Sequence, residues 1–312
     1  MAARAIFVGG TASHVGKSWM STAICRYLRT LGIRVAPFKA QNMSNNSYPC
    51  ASGGEIGRAQ VVQAEACGLE PETDMNPVLL KPSSTHGSQL VVNGLVHGDI
   101  AASSYAGHND FLREQIHAAC DRLSGRFEYI VMEGAGSIAE MNLRATDLAN
   151  LAIAHYAGAR GLLVADIDRG GVFASICGTL DLLPPDERAL MRSFAVNKFH
   201  GDRDLFAAGV AFLESRAGTP CLGVFPAVRD IRIDDEDSVS LEGARGVAGS
   251  RIAVIHLPCI SNFTDFRLLP CRWISLPDEY PVEWIILPGT KNTIDDLDWL
   301  RQQGLADWIQ DR

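Results

Sequence analysis

Gly9-Gly10-Thr11-Ala12-Ser13-His14-Val15-Gly16-Lys17-Ser18 follows the short apolar run Ala5-Ile6-Phe7-Val8. A short apolar run before glycines predicts a buried strand that delivers the chain to a turn whose backbone N–H groups point at phosphate oxygens. Lys17 is then placed to reach β- and γ-phosphates, and the Ser18 hydroxyl to ligate Mg²⁺. Met20, Ala23, Ile24, Tyr27, Leu28 and Leu31 recur every three or four residues, with Gly32 as a stop. They predict an amphipathic helix that presents its positive dipole end to the same point. The spacing departs from G-x-x-x-x-G-K-[ST] in one respect. Thr11 stands five residues before Gly16 and the glycine, Gly10, lies one further back, so the loop is one residue longer.

A chain of 312 residues has room for two domains, or for one large α/β domain with an appendage. Its hydrophobic share of 47% and charged share of 21% place it among globular proteins. The net charge of −8, with the basic residues scattered, argues against nucleic acid or an anionic membrane as the main partner. Eight cysteines form no C-x-x-C pair and sit mostly in apolar runs, which predicts reduced, buried thiols and a cytoplasmic address. The apolar run near the N-terminus is too short for a signal peptide, and no apolar window approaches membrane-spanning length.

Arg34-Val35-Ala36-Pro37-Phe38 reads as a second strand ending in the polar loop Lys39 to Ser47, and Glu55 to Cys67 reads as a helix with Ile56, Ala59, Val62 and Ala66 on one face. Glu55, at its start, either satisfies the helix dipole or holds a metal. Gln89 to Gly94 reads as a strand entering a turn, and Asn109 to Leu123 as a helix. Tyr129-Ile130-Val131-Met132-Glu133 is a buried strand ending on an acid beside a second glycine-rich turn, where a further Mg²⁺ contact is expected. A helix over Thr146 to Ala157, a strand Gly161 to Asp166, a helix Val172 to Leu182 and a strand Phe194 to Phe199 follow. Asn197 and Lys198 at the last strand's end suit a nucleotide base or ribose. Leu205 to Arg216 reads as a helix and Cys221 to Phe225 as a strand. The alternation predicts a doubly wound, mostly parallel sheet.

The acidic run Asp234 to Asp237 and the glycine-containing Glu242 to Ser250 read as a linker. Ile252 to Ile255 and Trp284 to Leu287 then read as strands, and Asp295 to Ile309 as a helix. The expected division is 1–233 for a phosphate-loop domain, 234–250 for a linker and 251–312 for the start of a second α/β domain, with two clear strands too few for an independent doubly wound core.

These residues resemble the cobyric acid synthase family, the glutamine-dependent amidotransferases of cobalamin biosynthesis. The matching stretches are the loop Gly10 to Ser18, Ala36 to Ser44, Met75 to Pro82, Glu133 to Ser137, Asp166 to Ala174, Val196 to Phe199, Ile260 to Phe266 and Leu287 to Ile294. The longer phosphate loop is similar to that of dethiobiotin synthetase, which accounts for the spacing.

The resemblance implies ATP-dependent amidation of the b, d, e and g carboxylates of adenosylcobyrinic acid a,c-diamide, through an acyl phosphate and with ammonia drawn from glutamine. ATP and Mg²⁺ are the implied cofactors, the corrinoid and ammonia or glutamine the implied partners, and a homo-oligomer is open. On this reading Lys17 and Glu133 are catalytic, and Gly10, Thr11, Ser13, His14, Val15, Gly16, Lys17, Ser18, Asn197 and Lys198 bind nucleotide. Ser18, Glu55 and Glu133 hold the metal. Lys39, Gln41, Asn42, Lys81, Arg144 and Arg169 are candidates for the carboxylate-rich corrinoid.

The chain departs from the family in one place. A glutaminase nucleophile in a Gly-Ile-Cys-Gly-Gly-Tyr-Gln-like elbow is absent from these 312 residues, Cys259 and Cys271 lie upstream of its expected position, and no histidine follows His256. The expectation is a chain that uses free ammonia and hydrolyses no glutamine, with Gly289 in part of an oxyanion-binding loop. Two alternatives are a related carboxylate-activating ATPase, such as the a,c-diamide synthase or a dethiobiotin-synthetase-like ligase, and a partitioning-type ATP switch. The switches carry an extra lysine near the loop start, where this chain has Gly9-Gly10-Thr11.

Overall fold

Successive side chains of Arg4–Gly10 (β1) leave the strand on opposite sides, so Phe7 enters one apolar cluster and Val8 the other. The computed structural model describes residues 3–84, 87–228, 247 and 249–312. β1 leads to Lys17–Thr30 (α1), Val35–Phe38 (β2), Gln41–Met43 (β3), Ser47–Pro49 (β4), Glu55–Gly57 (β5) and Arg58–Cys67 (α2). Then come Val78–Ser84 (β6), Gly87–Val92 (β7), Leu95–Ala101 (β8), Asn109–Ser124 (α3), Tyr129–Glu133 (β9), Leu151–Tyr156 (α4), Arg160–Asp166 (β10) and Val172–Leu182 (α5). Pro185–Arg188 (α6), Met191–Phe199 (β11), Ala207–Ala217 (α7) and Cys221–Pro226 (β12) follow. The C-terminal unit holds Ile252–Ile255 (β13), Cys271–Ile274 (β14), Trp284–Ile286 (β15), Thr293–Gln302 (α8) and Leu305–Gln310 (α9).

Six strands form one sheet in the order β12-β11-β10-β1-β9-β2, and every pairing in it is parallel. Helices cover both faces. Met20, Cys25 and Leu28 of α1 pack with Val8, Val131 and Val164. Leu112, Ile116, Ile153, Ile176 and Leu213, from α3, α4, α5 and α7, pack with Phe7, Met132, Leu163 and Phe194 on the other side. This is the expected doubly wound sheet, with β1 near its centre and the carboxyl ends of β1, β9, β10 and β11 gathered on the edge where such sheets bind ligands. Along α1 the apolar stripe is only partly buried, since Tyr27 and Leu31 are exposed. Among the described residues no helix is long and apolar enough to cross a membrane, and all eight cysteines are unpaired.

Several expected elements differ. The helix read from Glu55 begins at Arg58, because Glu55–Gly57 pairs antiparallel with Ser47–Pro49 and Gly57 N–H is capped by Asn76 Oδ1. The polar loop after β2 contains β3, which pairs in parallel with β6, and a four-stranded sheet β3-β6-β7-β8 stands beside the main one. The helix read over Thr146 to Ala157 is shortened to α4, because Asp147 Oδ1 accepts from Ala149 and Asn150 N–H and turns the chain before it. A break at Gly304, with φ 70°, divides the last expected helix into α8 and α9. The expected linker 234–250 lies outside the described residues except at 247, 249 and 250.

The C-terminal unit has three parallel strands, β14-β13-β15, one more than read from sequence, and its own apolar cluster of Ile255, Leu257, Phe263, Leu300 and Leu305. It meets the four-stranded sheet and the β4 loop through polar contacts. Ser47 N–H donates to Asn262 Oδ1 at 3.0 Å, Thr264 Oγ1 to Asn46 Oδ1 at 3.0 Å, and Asn292 Nδ2 to the Ser83 carbonyl at 2.7 Å.

Candidate active site

β1 ends at Gly10, and the loop to α1 is fixed from three sides. Thr11 N–H donates to the Val164 carbonyl at 3.0 Å, Ile138 N–H to the Gly10 carbonyl at 3.0 Å, and Asn197 Nδ2 to the Val15 carbonyl at 2.9 Å. Lys198 Nζ reaches both the His14 carbonyl at 2.7 Å and Asp166 Oδ2 at 2.8 Å. Gly16 starts the helix with φ 97°, and an added Cβ would stand 2.2 Å from Asn197 Nδ2, so conformation and space both require glycine. Val15 is buried, while Ala12, Ser13 and His14 are exposed at the loop's crest.

Lys17 is buried, and its Nζ donates to the Ala12 carbonyl at 3.0 Å and the Gly136 carbonyl at 2.8 Å, tying the phosphate loop to the turn after β9. That turn is clamped by Asn150, whose Oδ1 accepts from Ala135 N–H and whose Nδ2 donates to the Ala135 carbonyl. Glu133, at the end of β9, is buried at 1% exposure. Its Oε1 accepts from Ser18 Oγ at 2.7 Å and Lys39 Nζ at 3.2 Å, and its Oε2 accepts from Gln63 Nε2. Burial alone pushes this carboxyl up. The Lys39 charge, the Ser18 and Gln63 hydrogen bonds and the Lys17 charge outweigh it and hold the group below its ordinary range.

Lys17, Ser18, Lys39 and Glu133 therefore meet beneath the loop. Ser18 Oγ and Glu133 Oε1 are two hard oxygen donors 2.7 Å apart, a donor set that fits Mg²⁺, which takes few protein ligands and completes its shell with water and phosphate oxygens.

Glu55 is not part of this set. Held in the β4–β5 hairpin, it pairs with Lys81 Nζ at 2.7 Å, and Lys81 also donates to Ser47 Oγ at 3.0 Å. Burial raises the Glu55 carboxyl, but hydrogen bonds from Lys81 and Ser47 and the charges of Lys81 and Lys291 lower it overall. The structure thus places Glu55, expected at the metal, on a lysine in a second cluster. Of the other corrinoid candidates, Asn42 is buried with Nδ2 on Gln60 Oε1 at 3.1 Å, and Gln41 accepts from the Tyr105 hydroxyl. Arg144 pairs with Glu187 at 2.7 Å, and Arg169 is exposed on the turn after β10.

Asn150, Gln60 and Gln63 escaped the sequence reading. Of the expected face Ile56, Ala59, Val62 and Ala66, the first two are buried and Val62 and Ala66 only half-buried, while Gln60, Val61, Gln63 and Ala64 are buried as well. A polar residue at helical spacing is ordinarily solvent-facing, so only the failure of α2 to show a wide apolar stripe hinted at it.

Residues 6–240 match the family model of the CobQ/CobB/MinD/ParA nucleotide binding domain, and the chain belongs to this family. Residues 251–312 match the CobB/CobQ-like glutamine amidotransferase domain. Among relatives, the chain is 49% identical to a cobyric acid synthase of Moorella thermoacetica, an alignment covering 99% of this chain and 62% of the relative. It is 49% identical to one of Carboxydothermus hydrogenoformans, over 97% and 63% of the two chains, and 51% identical to one of Pelotomaculum thermopropionicum, over 97% and 60%. The chain thus spans about three fifths of the length of the curated relatives it matches.

Gly16→Ala is expected to weaken ATP binding by about tenfold or more through backbone strain and the Asn197 clash. Titration with a fluorescent ATP analogue measures this, and an unchanged affinity would contradict the loop geometry. Glu55→Gln leaves the Lys81 charge without its carboxylate and is expected to cost about 2 kcal/mol at neutral pH, discounted from a fully buried pair for partial exposure. Because the folded Glu55 carboxyl is depressed, its contribution is present above the unfolded value of about 4.3 and fades as pH falls through the lower folded value. Urea unfolding should show wild type and variant converging in acid; a gap that widens there would contradict the assignment.

Proposed function

We propose that the chain carries the carboxylate-activating half of an ATP-dependent amide ligase acting on the b, d, e and g carboxylates of adenosylcobyrinic acid a,c-diamide. Residues 1–233 form the synthetase on this reading, and 251–312 the N-terminal part of a glutamine amidotransferase unit joined through 234–250. The observation that carries it is the buried meeting of Lys17 and Lys39 at Glu133 and Ser18, directly under a phosphate loop. The similarity to cobyric acid synthases supplies the substrate class.

The chemistry needs little covalent help from the protein. A corrinoid carboxylate oxygen attacks the γ-phosphorus of ATP, the bond to the bridging oxygen breaks, and ADP leaves with the electron pair. Ammonia then attacks the acyl carbon, the C–O bond to the phosphoryl group breaks, phosphate leaves, and the nitrogen loses a proton. Positioning and charge neutralisation dominate such a transfer. The backbone N–H groups between Gly10 and Gly16 cradle the phosphates, and Lys17 turns from the Gly136 carbonyl to the transferred group. Lys39, beside Glu133, meets the incoming carboxylate. Ser18 and Glu133 would hold Mg²⁺, which when bound neutralises phosphate charge. Asn197 and Lys198 brace the loop from the end of β11 and flank the base end of the nucleotide. Gln41, Asn42, Lys81 and Arg169 remain the residues offered to the corrinoid, with Arg144 engaged by Glu187.

The test is phosphate release by the 312-residue chain with Mg-ATP and ammonium, with and without adenosylcobyrinic acid a,c-diamide, and with products weighed. The expected result is release that requires both corrinoid and ammonium, with stepwise amidation. Release indifferent to the corrinoid, or no amide among the products, would overturn the proposal.

A further inference from the structure

Helix α2 carries two fully buried glutamines one turn apart, and each is bound to a residue arriving from a different strand. Gln63 Nε2 donates to Glu133 Oε2 at the end of β9, and Gln60 Oε1 accepts from Asn42 Nδ2 on β3. Both side chains leave their remaining polar atom unpartnered: Gln63 Oε1 and Gln60 Nε2 are buried without a hydrogen bond. An orphaned buried amide group costs about 1–3 kcal/mol, so the arrangement calls for an explanation.

For Gln63 the explanation lies in the carboxylate. Rotating its amide by half a turn would set Oε1 against Glu133 Oε2, acceptor against acceptor, so the amide nitrogen must face Glu133 whatever becomes of its oxygen. Glu133 has two oxygens and two duties. Oε1 is shared by Ser18 and Lys39, and Oε2 is held by Gln63, which fixes the rotation of the carboxylate plane about its stem. Without that third bond the group can turn toward Lys39, whose side chain is 3% exposed, and away from Ser18.

We propose that Gln63 is a positioning residue for the nucleotide-bound Mg²⁺, acting through Glu133 by locking the carboxylate with Oε1 toward Ser18. This rests on the reading of Ser18 and Glu133 as the oxygens that hold the ion. Groups that orient a metal-holding carboxylate typically change affinity by about 10–100-fold when removed, although they touch neither metal nor substrate.

The experiment titrates Mg²⁺ into the full chain with a fluorescent ATP analogue, and measures analogue binding in EDTA separately. Gln63→Met keeps volume and removes the donor. It is expected to raise the Mg²⁺ concentration for half-maximal enhancement about tenfold while leaving binding in EDTA unchanged. Gln63→Asn keeps an amide on a stem one methylene shorter and should shift the same midpoint less, in the same direction. Should the Met variant fail to fold, the Asn variant decides by itself. Wild-type Mg²⁺ midpoints in the folded variants, or equal losses with Mg²⁺ and in EDTA, would overturn the proposal and leave Gln63 a structural residue. If wild type binds the analogue equally with Mg²⁺ and in EDTA, the metal reading of Ser18 and Glu133 falls first, and that failure is read from wild type alone.

Discussion

The buried ion pair between Lys39 and Glu133 is the constraint on which the rest of the site depends. Taking each charge out of water costs several kcal/mol, and attraction repays it only with good geometry and every remaining lone pair satisfied. The structure answers that demand by bringing four elements to one point. β9 delivers Glu133, the end of β2 delivers Lys39, α1 delivers Ser18 and Lys17, and α2 delivers Gln63. The parallel order β2-β9-β1 makes this possible, because Glu133 pairs in register with Val8 and lies beside the strand that opens the loop. A sheet with another strand order would leave the two lysines apart.

Around this centre the polar contacts divide into a rigid frame and an adjustable inner set. Asn150 on Ala135, Asn197 on Val15 and Lys198 on His14 all act on backbone carbonyls or amides, and they hold the two glycine-rich turns in place. Lys17 on Gly136 is different in kind, since a backbone carbonyl is a partner that a phosphate oxygen can replace. The second cluster, Glu55 with Lys81 and Ser47, sits close to where the C-terminal unit touches the four-stranded sheet, and Lys291 of that unit donates to Gln89. Among the described residues, one polar centre thus lies under the phosphate loop and another at the junction of the two units.

Much of the main sheet was legible because its strands are continuous apolar runs bounded by glycine or a charge. Tyr129 to Glu133 and Gly161 to Asp166 are of this kind, and a strand buried on both faces has no other way to be written. The phosphate loop was legible from glycine spacing with a strand before it and a helix after. What escaped depends on pairing between distant residues. Gln41–Met43 is three residues long and is a strand only because Val78–Leu80 lies beside it, and Glu55 leaves the helix because Pro49 pairs with it. Its place beside Lys81 rather than Ser18 follows from that pairing. Gln60 and Gln63 were hidden for a different one: their burial is sustained by Asn42 and Glu133, partners invisible to helical periodicity.

The most direct test of the central claim is a crystal structure of the chain with Mn²⁺ and a non-hydrolysable ATP analogue, the ion located by its anomalous scattering. One strong peak is expected, bound by Ser18 Oγ and facing the Glu133 carboxylate. The triphosphate would lie across residues 10–16, with Lys17 turned to it from the Gly136 carbonyl. An ion at the Glu55–Lys81 cluster, or a triphosphate bound away from the loop, would contradict it.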